Sequence, residues 1–377
     1  MRIGIEAQRI FRSKKHGMDF VALELIKHLQ LIDNENDYFI FVNSGENEHI
    51  IETSHNFTLV QFKAPYMIWE QIMLPIYCKK YNLDVLHCTS NTAPIFSTVP
   101  LVVTIHDIIF FEKNPLSQKG YTSYQKFGNF YRRLVVGVLL KTAKKIITVS
   151  EYERGNFLKR FRKLDSNRLI VVLNGVGEHF RPEINDAKIE SVRKLYQLPK
   201  YFALFLGNTD PKKNTKNTLL GFARSLEKGI HNWHLVVADL EQKVAEDLMG
   251  IELYSKVKDR LHFPGYIENQ HLPVVMSEAQ CMLYPSLRES FGIPILEGMA
   301  CGAPVITSNR ASMPEVAGDA ALMVDPENID DIASSIMAIA HDPILRGEFI
   351  KKGLIRASNF HWMDTALDVK KVYQSII

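Results

Sequence analysis

At 377 residues, 46% hydrophobic and 23% charged, the chain exceeds one ordinary core, which stops growing at about 250–300 residues, and its composition excludes a disordered polymer. The longest central apolar run, Leu134 to Leu140, falls far short of the roughly 20 residues that span a bilayer, and Glu6 stands where an export signal needs apolar residues, so a cytoplasmic protein is expected. The net charge of +3 is uneven: residues 1–173 carry 23 Lys+Arg against 16 Asp+Glu and the remainder 22 against 26, which suggests an anionic partner such as the inner face of a membrane for the first half, while scattered basic residues without a known motif argue against nucleic acid.

In chain order, short β-branched runs alternate with helical segments. The first set is "RIGIEA" (2–7), a helix over about 18–31, "YFIFVN" (38–43), "FTLVQF" (57–62), "VLHCTS" (85–90), "LVVTIHD" (101–107) and "KIITVSE" (145–151). This is the rhythm of a parallel sheet with crossover helices. After "LIVVLNGVG" (169–177) and a polar stretch, the rhythm restarts with "YFALFLGN" (201–208), a helix over about 214–228, "HLVVAD" (234–239), "LHFPGY" (261–266), "CMLYPS" (281–286), "APVITS" (303–308) and "AALMVD" (320–325). Helices over 328–341, 343–358 and 361–376 follow. The reading is an α/β protein of two doubly wound, Rossmann-like parallel-sheet domains, residues 1–173 and 174–360, with the helix of 361–377 packing back on the first. Open α/β sheets bind ligands at the carboxyl ends of their strands, so sites are sought there.

Four segments at such ends carry chemistry. In "RESFGIPILEGMACGAPVI" (288–306), Pro294 is favoured at the first position of a helix, which places Glu289 in the preceding loop and Glu297 in the first turn. Both carboxylates then face the free amides of Phe291, Gly292 and Ile293, an arrangement able to take sugar hydroxyls on the acids and phosphate on the amides. Alone, the pattern equally fits a glutamate complementing the helix dipole beside a loop charge. "GNTDPKKN" (207–214) offers Lys212 and Lys213 between a strand and a helix, and "TIHD" (104–107) ends a strand with His106 and Asp107. "KKHGMDFVALEL" (14–25) presents Gly17, beside His16 and Asp19, before the first helix. His87 in "DVLHCTSN" is a further strand-end candidate for an acceptor site.

The whole of "YPSLRESFGIPILEGMACGAPVITSNRASMPEVAGDAALMVDPEN" (284–328) resembles the signature region of the GT-B glycosyltransferases of family 4, whose motif is two glutamates separated by seven residues. The likeness extends through "PGYIENQHLP" (264–273), "LGNTDPKKNTKNTLLGF" (206–222), "VVTIHDIIFFEKNP" (102–115) and "IITVSEYERGNFLKRF" (146–161), and its "TIHD" and "PKKN" variants look most like bacterial mannosyltransferases of O-antigen and capsule assembly. The resemblance implies that Glu297 holds the ribose hydroxyls of a sugar nucleotide, that Glu289 and His106 contact the donor sugar, and that the amides of Phe291, Gly292 and Ile293 meet sugar and diphosphate. Lys213, and less so Lys212, would stabilise the leaving diphosphate; the family usually has Arg at the first position of this pair, and lysine lacks its planar fork. Gly17 would approach the donor phosphate, although the usual glycine pair is missing.

The expected activity is hexosyl transfer with retention, from a nucleotide-diphosphate sugar to a hydroxyl of a glycan or lipid-linked glycan in cell-surface polysaccharide biosynthesis. GDP-mannose is the expected donor, with UDP-sugars as the alternative. No DxD or other metal-ligand spacing is seen, so neither metal nor cofactor is expected. Cys78, Cys88, Cys281 and Cys301 show no CxxC pairing and read as reduced core thiols. The segment 121–145, apolar along its centre with basic ends, reads as a core helix before a membrane-surface helix. Loops 62–75 and 108–122 would shape the acceptor pocket. The competing readings are a catalytically silent donor-binding subunit and a GT-B sugar-nucleotide epimerase or phosphorylase; a dinucleotide oxidoreductase lacks its GxGxxG.

Overall fold

The computed structural model describes residues 1–12, 17–44, 50–52, 54–112 and 123–376. The chain divides into two compact units, Met1–Gly175 together with Trp362–Ile377, and Val176–His361. The first is built on seven strands: β1 (Arg2–Glu6), β2 (Asp37–Val42), β3 (Phe57–Gln61), β4 (Val85–Cys88), β5 (Leu101–Thr104), β6 (Lys145–Thr148) and β7 (Leu169–Val171). They lie in the order β3-β2-β1-β4-β5-β6-β7, every pair parallel. Because both faces are covered, β2 is apolar throughout: Tyr38, Ile40 and Val42 enter the core on one face, and Phe39 and Phe41 the core on the other.

The second unit holds β8 (Phe202–Leu206), β9 (His234–Ala238), β10 (Leu261–His262), β11 (Cys281–Tyr284), β12 (Val305–Ser308) and β13 (Ala321–Val324), in the parallel order β10-β9-β8-β11-β12-β13. Chain order reverses between β1 and β4 in one sheet and between β8 and β11 in the other. Each reversal leaves a crevice at the carboxyl ends of two strands whose following connections run in opposite directions.

Every strand expected from the sequence is present, and the helices Gly17–Ile32, Thr215–Glu227, Ile293–Ala300, Ile329–His341 and Pro343–Ala357 fall within a few residues of expectation. The last helix, Trp362–Gln374, lies against Gly17–Ile32, with Ala366, Val369, Val372 and Tyr373 in the core of the first unit. The stretch 62–75 corrects the expectation of a loop. From Tyr66 to Lys80 it is helical, and its middle, Trp69–Met73, is a π-helical turn. The turn holds the side chains of Trp69 and Glu70 inward together, which regular α spacing would not signal. Residues 113–122 of the second expected acceptor loop lie outside the described residues.

The helix Ser123–Thr142 is only partly a core helix. Val135, Val136, Leu139 and Leu140 are buried, whereas Phe127, Phe130 and Leu134 form an exposed stripe. No described helix is long and apolar enough to cross a membrane. All four cysteines are buried free thiols.

Candidate active site

The second unit assembles its candidates at the β8/β11 reversal. After β8 the chain passes Gly207, where a Cβ would stand 2.6 Å from Leu240 Cβ and 2.8 Å from the Ala238 carbonyl, so only glycine lets the loop leave there. Asp210 caps the turn Pro211–Lys213 through the Lys212 amide, and Asn214, in a left-handed conformation (φ 59°), starts the helix Thr215–Glu227. Asn214 Nδ2 donates to the carbonyls of Pro285 (2.9 Å) and Pro326 (2.6 Å), and the Leu287 amide donates to the Lys212 carbonyl (2.7 Å). The lysine loop is thereby laced to the loop that follows β11.

That lacing aims Lys213. Its Nζ donates to Glu289 Oε1 (2.7 Å) and to the Tyr284 hydroxyl (2.9 Å), and it lies 5.0 Å from the centre of the Tyr284 ring. Glu289 is nearly buried, so this is a partly desolvated ion pair rather than a surface contact. Lys212 pairs elsewhere, half-buried and 3.9 Å from Asp210. The loop carrying Glu289 is held by Ser312, whose buried hydroxyl bonds the carbonyls of Glu289 (2.9 Å) and Phe291 (2.8 Å). Gly292, at φ 108°, turns the chain into the helix Ile293–Ala300, and the amides of Phe291, Gly292 and Ile293 donate to no described group. Phe291 itself is buried and meets Phe360 edge-on at 6.0 Å.

Glu297 is the fifth residue of that helix, one step beyond the first turn expected for it; its half-buried carboxyl has no hydrogen-bond partner among the described residues, and burial raises its pKa from 4.5 to about 7. A helix start with open amides and a carboxyl awaiting donors can take an anion and vicinal hydroxyls side by side.

In the first unit His106 follows β5. Its Nε2 lies 3.0 Å from the Thr89 carbonyl, which can only accept, so Nε2 carries the hydrogen and Nδ1 is an acceptor without a described partner. Burial lowers its pKa and keeps the ring neutral. Asn91, itself left-handed at φ 71°, fixes the His106 amide through Oδ1 at 2.7 Å. Asp107 accepts from the Ile109 amide (3.1 Å) and so orders the helix Ile109–Glu112.

His87 does not serve a binding site. It is fully buried, with Nδ1 bonded to the Tyr373 hydroxyl (2.7 Å) and Nε2 to Thr104 Oγ1 (2.8 Å), and burial depresses its pKa to about 3. Gly17 opens its helix exposed, outside the left-handed region and with open space where a Cβ would be, so no turn requires glycine there. His16 lies outside the described residues, and Asp19 is buried with Arg9 at 3.2 Å.

Several polar residues at these strand ends escaped the sequence reading. Glu6 closes β1 in full burial, which raises its pKa to about 7. Glu70, in the π-helical turn, accepts from Tyr131 (2.5 Å), Gln71 (2.8 Å), Tyr66 (2.9 Å) and Thr92. Tyr284, Asn214 and Ser312 organise the second unit's site. The available signal was position, a polar residue one step from the end of an apolar run, and it is too common to single them out. Among the described residues no cluster of three or more His, Cys, Asp or Glu could hold a metal ion.

A family model described as glycosyl transferases group 1 matches residues 186–356, and one described as glycosyltransferase family 4 matches residues 16–179. The chain belongs to the group 1 GT-B glycosyltransferases. Among relatives of this glycosyltransferase, the O-antigen chain mannosyltransferase B of Escherichia coli is 28% identical over 274 residues, covering 72% of this chain and 70% of that one. The serotype-specific mannosyltransferase WbdA of Escherichia coli is 27% identical over 279 residues, which is 70% of this chain but only 32% of the relative. In fold, the Anabaena protein HepE, solved in complex with UDP and glucose, superposes with a TM-score of 0.73 at 15% identity, with both chains fully covered.

Proposed function

We propose that this glycosyltransferase moves a hexose, mannose from GDP-mannose, onto a hydroxyl of a glycan or lipid-linked glycan during cell-surface polysaccharide assembly, with retention of anomeric configuration. The observation that carries the reading is the β8/β11 crevice. Lys213 supplies a cation and three amides supply donors for a diphosphate, while Glu297 and Glu289 supply acceptors for ribose and hexose hydroxyls. The mannosyltransferase names of the relatives favour the sugar and the pathway class.

The step asked of the protein is electrostatic. As the glycosidic bond breaks, negative charge grows on the diphosphate, and preorganised Lys213 and helix amides stabilise it where many transferases place a metal ion. Neutral His106, with Nε2–H held by Thr89, presents Nδ1 as an acceptor for a sugar hydroxyl. The basic first half brings the protein to the anionic inner face of a membrane, where a lipid-linked acceptor would reside.

Thermal-shift screening against GDP-mannose, UDP-glucose and UDP-N-acetylglucosamine, followed by product analysis with and without chelator, tests the reading. A donor at a hundred times its Kd adds about 2.7 kcal/mol to the stability of the folded state. GDP-mannose should give the largest shift, and its transfer should survive chelation. A uridine donor giving the largest shift would replace the mannosyl assignment alone, and a strict need for added divalent metal would overturn the electrostatic account of leaving-group stabilisation.

A further inference from the structure

Lys213 and Glu289 are both donor-binding groups in the proposed function, yet in this structure they neutralise one another at 2.7 Å. A lysine committed to a carboxylate cannot give its full charge to a diphosphate, and a carboxylate committed to a lysine cannot give both oxygens to a sugar. One residue touches both partners. Tyr284 ends β11, is almost fully buried, and has its backbone carbonyl fixed by Thr307 Oγ1 at 2.9 Å. Its hydroxyl accepts from Lys213 at 2.9 Å, and through that shared ammonium, 2.7 Å from Glu289, it stands close enough to the Glu289 carboxylate to interact with it. Because its carbonyl and ring are pinned in the sheet, the hydroxyl is a fixed point between two longer side chains.

We propose that the Lys213–Glu289 pair is an exchangeable lock: a donor diphosphate draws Lys213 from Glu289, and Tyr284 acts as the positioning residue that keeps Glu289 aimed once its lysine has left. A phenol can do this without changing charge. Burial and the adjacent Glu289 hold its pKa well above the usual value, so it remains a neutral donor throughout the exchange. The lock explains how opposite charges can sit together in one site without either being wasted, since each is released only when the diphosphate arrives. Premature engagement of a sugar by Glu289 is disfavoured by the same pairing.

The inference rests on the proposed function and makes a prediction that simple contact would not. Replacing a donor-contacting acid normally weakens binding, whereas E289Q should here bind GDP or UDP more tightly, by about threefold to tenfold, because Lys213 no longer has to be won from a carboxylate. The gain should vanish in the K213A background and be absent for the uncharged nucleosides guanosine and uridine. Y284F should leave nucleoside diphosphate affinity and donor KM within about twofold while lowering kcat by about tenfold or more. Calorimetric titration of the four proteins of the K213A/E289Q cycle, with steady-state kinetics of Y284F, decides the matter. An E289Q gain that persists without Lys213 would mean mere relief of charge repulsion and overturn the exchange, as would unchanged or weaker binding by E289Q. Parallel loss of affinity and kcat in Y284F would overturn the positioning role. A wild-type protein binding neither diphosphate overturns the proposed function itself, a result distinct from a bound diphosphate with an additive cycle.

Discussion

A half-buried carboxyl with no partner among the described residues, as Glu297 is, has a pH dependence that its function and its stability feel in opposite senses. Burial raises its pKa from 4.5 to about 7, so the folded protein retains a proton that the unfolded chain has already released above pH 4.5. Its favourable contribution is thus present below pH 4.5 and lost as pH rises through about 7. We expect E297Q to raise stability at pH 8, by on the order of 1–2 kcal/mol, and hardly at pH 5, as read from denaturant midpoints at the two pH values. Donor affinity should move the other way. The wild type should bind nucleotide-sugar better at pH 8 than at pH 6, when the carboxylate can accept two ribose hydroxyls, and E297Q should lose that difference. For Glu289 the expected cost is in turnover. E289Q should lower kcat about a hundredfold or more if the acid orients the sugar at the reacting carbon, and near-normal turnover would remove it from the centre of the mechanism.

At the scale of elements, the final helix is tied to the first unit by specific bonds as well as by apolar packing. Tyr373 reaches His87 at the end of β4, Thr365 bonds the Leu173 carbonyl (2.7 Å), and Lys370 lies 3.4 Å from buried Asp33. Y373F leaves a buried imidazole nitrogen without its partner and should cost about 1–3 kcal/mol. His87 also sets an acid limit. Its folded pKa of about 3 lies below the ordinary 6.5, so the unfolded chain binds the proton first and stability falls as pH drops from 6.5 towards 3. Between pH 6.5 and 5 that amounts to roughly 2 kcal/mol, and H87Q should lose this part of the slope while being less stable at pH 7.5.

These ties were not legible in the sequence, because a histidine at a strand end looks the same whether it faces a ligand or a tyrosine 286 residues away. The strands, by contrast, were legible, since burial on both faces writes continuous apolar runs. Glu289, Glu297 and Lys213 were singled out through their motif frame, and the structure brings Lys213 and Glu289 together. Their lacing through Asn214, Ser312 and Tyr284 was not, because it depends on side chains meeting across loops. The π-helical turn at Trp69–Met73 was hidden for a related reason, its inward residues breaking the 3.6 period on which helix reading relies.

At the scale of the whole molecule, charge and apolar surface coincide in the first half of the chain. On the helical run Tyr66–Lys80, Ile68, Ile72 and Ile76 recur at four-residue spacing and are exposed; on the helix Ser123–Thr142, Phe127, Phe130 and Leu134, three and four residues apart, are exposed too. The two segments are neighbours, joined by the bonds of Tyr131 to Glu70 and Gln71 and by the edge contact of Tyr66 with Tyr131. Exposed Lys63, Lys79 and Lys80 belong to the first segment and its approach, and exposed Lys141 and Lys144 to the end of the second. Residues 1–173 together carry 23 Lys+Arg against 16 Asp+Glu. Isolated exposed hydrophobics are ordinary, but two adjacent stripes flanked by cations fit a surface that lies on anionic lipid. Each basic residue near such a surface contributes about 1 kcal/mol, screened within a Debye length of roughly 8 Å at physiological salt. The protein should therefore co-sediment with vesicles containing phosphatidylglycerol, less with purely zwitterionic vesicles, and less again at 0.5 M salt, where the Debye length shrinks to roughly 4 Å. I72E and F130E should reduce binding at low salt while leaving nucleotide-sugar affinity unchanged, because neither side chain belongs to the donor site. Equal binding to zwitterionic and anionic vesicles, or full binding by both variants, would detach the acceptor encounter from the membrane face and leave the apolar stripes without that role.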